Sequence, residues 1–418
     1  MSIKVVFLKS DVYYFTARTH THEESLSKVK GPLALDKIGF KNKVNKGDKV
    51  VIKTHFGALE NVRYLRPSYI RFLCDYVKGL KAVPSVAESC GWGAPEAFTG
   101  SHTEYSGRAT EKEYLEIAKM HGFTDETMGA KVLMLDGSVG TDIAIQRING
   151  KRFKEILVAG RLREFDHMIL ATHFKGHAGA GFGGAIKNLG IGCVSKGGKV
   201  QAHVGKKFEF NYDAPISDYE DCLKICPTNA LTERTDGKLK RDENKCRYCY
   251  MCKSVCKNNV IDTGASTREE FITQMVDNAA GVVDYFGKDK IFYINYVIDV
   301  TWQCDCTGGS DIPFVSDIGV LSSLDPVAID QVAIDLIHSS LMNPHSILGD
   351  VKNISKDNTH EWFSYVPRFD PETQELDLNL NGKESKHWEL QLKAAEDIGL
   401  GSKDYNLVEV KVESKKKN

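Results

Sequence analysis

The sequence predicts an α/β protein: a two-lobed α/β body into which a small α+β domain is inserted. Short runs rich in β-branched residues alternate with amphipathic helical segments along most of the chain. The alternation stops from about Asn211 to Gly264, where cysteines crowd together and turns dominate. A length of 418 residues exceeds what one hydrophobic core usually serves. The expected organisation is an N-terminal α/β domain over residues 1–205, an inserted domain over 206–264, and a C-terminal α/β portion over 265–418 that completes the main body.

The first 70 residues read as strand, long loop, strand. Lys49–Lys53 is a short β-branched run behind the turn signal Asn45-Lys46-Gly47-Asp48. Pro67 suits the first turn of a helix expected to reach Val77, and Val83–Ala87 follows as a strand. Thr110 with Glu113 three residues on has the form of a capping box, opening a helix that runs to His121 and stops at Gly122. Strands are expected over Lys131–Leu135 and His167–Ala171. After the cysteine-rich stretch come a helix near Arg268–Phe286, a strand over Lys290–Asp299 and a helix near Asp325–His338. The tail from about Met342 is polar and loop-rich. It closes with a helix around Ser385–Ile398 and a strand over Asn406–Val412, and Lys415–Lys417 read as a solvated end.

Composition excludes several function classes. With 42% apolar and 27% charged residues, long disorder and a coiled coil are disfavoured. Lys+Arg and Asp+Glu number 55 and 56, so bulk charge favours neither nucleic acid nor an acidic membrane. No apolar run approaches the ~20 residues that span a bilayer. Met1–Leu8 is too short for the apolar part of a signal peptide. The expected location is the cytoplasm.

The 11 cysteines are the informative count, and most fall between Cys222 and Cys306. Without an export signal, such close spacing reads as metal or cluster ligation. Cys246, Cys249, Cys252 and Cys256 have the spacing C-x2-C-x2-C-x3-C of the bacterial ferredoxin run. Upstream, Cys222 and Cys226-Pro227 are the end of a second such run. The rule that each run's last cysteine serves the other cluster assigns Cys226, Cys246, Cys249 and Cys252 to one 4Fe-4S cluster, and makes the insertion bacterial ferredoxin-like. A four-cysteine zinc ribbon fits less well, because it pairs two C-x2-C knuckles. Ile216 and Tyr219 stand where two ligands of a second cluster belong. That site is either lost, leaving Cys222 and Cys256 as a remnant pair, or rebuilt from Cys222, Cys256, Cys304 and Cys306. Cys74, Cys90 and Cys193 read as small buried hydrophobes.

A second constellation follows the strand ending near Ala171. Nine glycines lie between residues 176 and 198, enough to let backbone amides approach a ligand closely. Gly179, Gly181 and Gly184 match the dinucleotide fingerprint in form, with Gly183 among them. However, Val200 stands where the ribose-binding acid belongs, and a cysteine-rich domain follows instead of a second βα unit. His173, His177, His203 and Lys187 around this loop are more like a polar pocket built for chemistry. His55 and Arg66 follow the strand ending at Lys53, where α/β active sites collect.

The layout resembles domain-of-unknown-function family 362. The resemblance rests on Thr54-His55-Phe56-Gly57 with Tyr64-Leu65-Arg66-Pro67, on His173–His177 through Lys187–Gly190, on Cys304-Asp305-Cys306, on Ser323–Asp330 and on Gly399–Ser402. It spans almost the whole chain and implies the fold more than an activity. The stretch from His177 to Lys187, with His203 16 residues further on, is also similar to nickel-pincer lactate racemases. That resemblance implies Lys187 as the tether of a thioamide cofactor, His203 as a nickel ligand, His177 as a base and Arg66 as a carboxylate clamp. The second histidine of those enzymes has no aligned counterpart; His102 is near, before Gly107-Arg108-Ala109-Thr110.

The expected function is that of an iron–sulfur redox protein, a reductase whose cluster feeds a pocket lined by Arg66, His177, Lys187 and His203. Gly179, Gly181, Gly183 and Gly184 would be its cofactor-binding loop. The expected partners are a ferredoxin or flavoprotein electron donor and a small-molecule substrate. The alternatives are a ferredoxin-type electron carrier or scaffold, and a nickel-dependent racemase-like enzyme.

Overall fold

The apolar runs assemble into one twisted sheet. The computed structural model describes residues 9–96, 107–205, 209–257, 260–352, 354, 360–369, 375–380 and 385–412. Eight strands form the main sheet: β1 (Ser10–Thr16), β2 (Lys49–Lys53), β3 (Val83–Glu88), β4 (Lys131–Met134), β5 (His167–His173), β6 (Ile291–Val297), β7 (Gly319–Ser323) and β8 (Tyr405–Glu409). Their order is β8-β1-β7-β6-β5-β2-β3-β4. Neighbours run parallel throughout, except that β7 is antiparallel to both β1 and β6.

Both faces of the sheet are covered, which is why its strands read as continuous apolar runs. Along β2, Val51 points into one core with Met168, Leu170 and Tyr293, whereas Val50 and Ile52 point into the other with Ile169 and Phe292. The main helices are α1 (Pro67–Gly79), α2 (Glu111–Met120), α3 (Ala185–Gly192), α4 (Lys196–Val204), α5 (Ile216–Ile225), α6 (Arg268–Phe286), α7 (Pro326–His338) and α8 (His387–Asp397). Helix α1 covers the second core with Ile70, Leu73, Cys74 and Val77, a stripe at helical spacing. Helix α6 covers the first with Ile272, Met275 and Ala279, and starts at a capping box formed by Thr267 and Glu270. The box expected at Thr110 and Glu113 is present at the start of α2.

Residues on both sides of the cysteine-rich stretch build this single sheet. Strand β1 lies between β8 and β7, so β6, β7 and β8 complete the same layer that the first part begins. The long loop expected before β2 contains four helical segments, His22–Glu24, Leu26–Lys30, Gly31–Lys37 and Phe40–Lys43. Two pieces of sheet were hidden in the sequence. One is β7, which is fully buried yet ends in two serines; Ser322 Oγ donates to Ala34 O and Ser323 Oγ to Asp11 O. The other is the hairpin Ile143–Arg147 with Glu155–Ala159.

Within the cysteine-rich stretch, Glu209–Phe210 pairs antiparallel with Ile261–Asp262 and brings the two ends together. Between them lie α5, a hairpin of Leu231–Glu233 with Leu239–Arg241, and the short helix Met251–Val255. Its small core, with Tyr219, Cys222, Leu231 and Ile261, is shared with Val200 and Val204 of α4. The first residues expected in this domain, 206–208, and Lys415–Lys417 at the chain end lie outside the described residues. No helix among the described residues is long and apolar enough to cross a membrane.

Candidate functional site

A cavity of about 130 Å³ opens at the carboxyl ends of β2, β3 and β5, the edge where parallel α/β sheets hold ligands. His177, Lys187 and His203 all line it, as do Gly183 and Gly184. Each is placed by a specific local device.

Lys187 is carried by α3, whose first turn is fixed from outside. The buried Asp330 accepts hydrogen bonds from Ala185 N (2.8 Å), Ile186 N (2.9 Å) and Asn295 Nδ2 (2.8 Å). Position 184 must be glycine, because a Cβ there would stand 2.4 Å from Asp330 Oδ1. The lysine Nζ then donates to Cys304 Sγ at 3.3 Å. Burial opposes charge on Lys187, but the sulfurs of Cys304 and Cys306 outweigh it and hold the ammonium above its ordinary value. Several other glycines of the stretch serve close packing instead of ligand approach. At Gly190 a Cβ would meet Met275 O at 2.1 Å, and at Gly197 it would meet Arg247 O at 2.2 Å.

The Cys304-Asp305-Cys306 loop is pinned at each carbonyl. Cys304 O accepts from Thr307 Oγ1 (3.1 Å), Asp305 O from Ala58 N (2.8 Å) and Cys306 O from Arg108 Nη2 (2.8 Å). The Asp305 carboxylate is buried against His173 Nδ1 (2.9 Å) and Lys175 Nζ (3.2 Å). Burial alone would raise its pKa, yet these two partners hold it well below the ordinary carboxylate range. The thiol pair is polarised. A hydrogen bond from Cys306, reinforced by Lys187 and Lys175, holds Cys304 well below an ordinary thiol despite its burial, while the shared hydrogen bond and burial push Cys306 well above.

Burial disfavours the charged form of three cavity histidines. His203 Nδ1–H donates to Lys199 O at 2.7 Å, and burial pushes its pKa down to about 4. Burial likewise holds His177 and His55 well below the ordinary imidazole value. His177 Nδ1 accepts from the amides of Gly179 (3.1 Å) and Ala180 (2.9 Å). A ring nitrogen of His177 and the sulfurs of Cys304 and Cys306 lie within 4.8 Å of one another, so this group could hold a metal ion.

Two expectations are corrected here. Arg66 does not line the cavity; its guanidinium is half-exposed, paired with Asp299 and set over the Tyr69 ring. Asp299 supplies the carboxylate that a substrate was expected to supply. Gly179 and Gly181 also stand back from the cavity, in the hairpin Lys175–His177 with Gly181–Gly183, so the fingerprint glycines do not form a strand-to-helix phosphate turn. His102 lies outside the described residues.

The cavity also contains charged residues that sequence reasoning did not select. Lys53 pairs with Glu88 at 2.9 Å, both buried, and donates to Asn188 Oδ1 at 2.7 Å. Lys199 donates to Ser89 O at 2.9 Å, and Arg108 lines the wall beside Cys306. The available signal was a charged residue closing an apolar strand, Lys53 after β2 and Glu88 at the end of β3, which is costly unless used or paired.

A second, smaller cavity of about 20 Å³ lies in the cysteine-rich stretch and is lined by Cys226, Cys246, Cys249 and Cys252. The amide of Ala230 donates to Cys226 Sγ at 3.2 Å. Burial, then the nearby Cys249, Cys246 and Cys226 sulfurs, push the Cys252 thiol up. Cys222 and Cys256 pair with each other, whereas Cys304 and Cys306 are grouped with His177 and Cys306 lines the large cavity. Trp92 links the two regions. Its ring lies 4.6 Å from His203, stacks 6.0 Å from Tyr250 between Cys249 and Cys252, and lines the large cavity.

With this geometry in hand, the domain of unknown function DUF362 matches residues 50–335, from β2 to α7. The chain belongs to this family. Among solved structures, it is similar to the apoprotein of lactate racemase from Thermoanaerobacterium thermosaccharolyticum at a TM-score of 0.30 and 12% identity. The match covers 72% of this chain and 53% of that one, so the chain spans about half the length of that protein. No curated protein matches.

Proposed function

We propose that this DUF362 protein is an iron–sulfur reductase. In this reading, Cys226, Cys246, Cys249 and Cys252 hold one 4Fe-4S cluster in a ferredoxin-like domain over residues 206–264, and the large cavity takes a small substrate. The observation that carries it is the convergence of these four sulfurs on one small cavity. An all-thiolate donor set with an amide donating to sulfur suits a cluster. A bound cluster would supply single electrons at low potential. The remaining roles fall to the chain's own residues. Trp92 fills the space between the two sites. Arg108, whose guanidinium donates to the carbonyl of Cys306, brings positive charge to the cavity wall, suited to an anionic substrate. His203, whose Nδ1–H is held by Lys199 O, can accept or relay a proton at Nε2. The electron donor is a ferredoxin or flavoprotein.

Anaerobically purified protein should show broad visible absorbance that dithionite bleaches, with a paramagnetic signal of a reduced four-iron cluster that is absent from C252S. A colourless protein containing zinc would overturn the reading. Lys187→Met and His203→Ala should keep the cluster and lose acceptor-dependent reoxidation; a pure electron carrier would be indifferent to both. A second reading, a nickel centre in the large cavity, is favoured by one observation: the Nδ1–H bond to Lys199 O leaves His203 Nε2 with a free lone pair.

A further inference from the structure

The remaining question is what the Cys304–Cys306 pair does. Cys306 lines the large cavity and the buried Cys304 lies behind it, with Lys187 Nζ 3.3 Å from Cys304 Sγ. A metal is one occupant of this corner. Two observations weigh against it. His177 Nδ1 is already the acceptor of two amides, so the ring's own proton is on Nε2, and neither nitrogen presents a lone pair. Lys175 is paired with Asp305 of the loop, and Lys187 and Arg108 bring further positive charge beside the two sulfurs. A positive environment disfavours another cation, whereas it stabilises a thiolate that attacks or leaves during disulfide exchange.

We propose that Cys304 and Cys306 are a reversible dithiol–disulfide couple, the reactive group of the large cavity, which exchanges electrons with small anionic disulfides. The inference rests on the reading of the cavity as a redox site. Cys306, the sulfur that faces the cavity, gives its proton to the Cys304 thiolate and attacks one sulfur of the substrate disulfide, forming a mixed disulfide and releasing one substrate thiolate, which takes that proton from Cys304. The Cys304 thiolate then attacks Cys306 Sγ, closing the Cys304–Cys306 bond and releasing the second substrate thiolate, which takes a proton from solvent. The substrate disulfide gains two electrons and two protons; the pair supplies both electrons and one proton, and solvent supplies the other proton. Two electrons and one proton, from a dithiol or from a low-potential one-electron donor acting twice with solvent, restore the pair. A ring closed across a single intervening residue is strained, and strained disulfides are the easily reduced, catalytic kind. The pinned carbonyls of residues 304–306 hold the two sulfurs together in both states.

The test uses the full chain and the stretch Ile291–Lys352, which trypsin releases with Cys304 and Cys306 as its only cysteines. Native protein is treated anaerobically with dithiodiglycolate, a small disulfide with two carboxylates, then denatured, alkylated and weighed by mass spectrometry. The peptide is expected two hydrogens lighter and unlabelled, and it should take two labels after dithiothreitol. C304S is expected to retain one thioglycolate on Cys306, the trapped mixed disulfide. Two freely alkylated thiols after oxidation would overturn the proposal. So would one zinc or nickel per chain that protects the pair from oxidation and is lost in C304S. C252S separates the two readings: an unchanged peptide result with a failed iron assay in wild type would sink the cluster alone.

Discussion

Replacing Lys187 by methionine isolates the electrostatics of the cavity. The ammonium lies 3.3 Å from Cys304 Sγ, inside the protein. At that distance and an effective dielectric of ~20, the attraction of ammonium for thiolate is about 5 kcal/mol. Its loss would lower the thiolate population by roughly three to four decades. A more basic thiolate is also a better nucleophile, which returns about half of that on a logarithmic scale. The net expectation is a slowdown of roughly a hundredfold in the reaction of Cys304 with methyl methanethiosulfonate at neutral pH. The label is read on the Ile291–Lys352 peptide in variants shown by circular dichroism to be folded. Lys187→Arg, which keeps the charge, should react within a few-fold of wild type. Shortening the lysine also opens the wall, so access alone would speed labelling. Labelling of folded K187M at the wild-type rate or faster would refute the electrostatic argument.

Three further outcomes follow from buried groups. Burial holds His203 at about 4, below its unfolded value, so its stability contribution is present above pH ~6.5 and lost as pH falls through 4; about 3 kcal/mol should disappear from the unfolding free energy across that range, and less in His203→Phe. Asp330 has the opposite sign. Burial pushes it up to about 7, so it favours folding below pH ~4 and loses that contribution as pH rises through 7; D330N should flatten this slope while loosening α3, seen as faster amide exchange at Ala185 and Ile186. Lys53→Met leaves Glu88 buried without its cation and should destabilise by about 3–5 kcal/mol in denaturant unfolding, with K53M/E88Q recovering part of it.

Much of the body was legible because buried parallel strands and capped helices write plain signals. The Thr267–Glu270 box and the apolar stripe of α6 mark Arg268–Phe286 from end to end. Strand β7 was not legible, since its serines are buried through hydrogen bonds to Ala34 O and Asp11 O that no local pattern announces. Helices α3 and α4 were missed for a related reason. Their glycines lower helix propensity, and what makes them helical is close packing on Met275 and Arg247, a tertiary cause. At the site, spacing identified His177, Lys187 and His203, which do share one cavity. It misjudged Arg66 because the neutralising partner, Asp299, is distant in sequence. Spacing also could not distinguish a remnant cysteine pair from a ligand pair; only the third dimension joins Cys222 to Cys256 and sends Cys304 and Cys306 to the cavity.

The most direct test is a count of iron, acid-labile sulfide, zinc and nickel per chain in protein purified without oxygen. About four irons and four sulfides per chain are expected, lost together when any of Cys226, Cys246, Cys249 or Cys252 becomes serine, and retained in C222S/C256S. Zinc without sulfide, or iron that survives all four substitutions, would contradict the account.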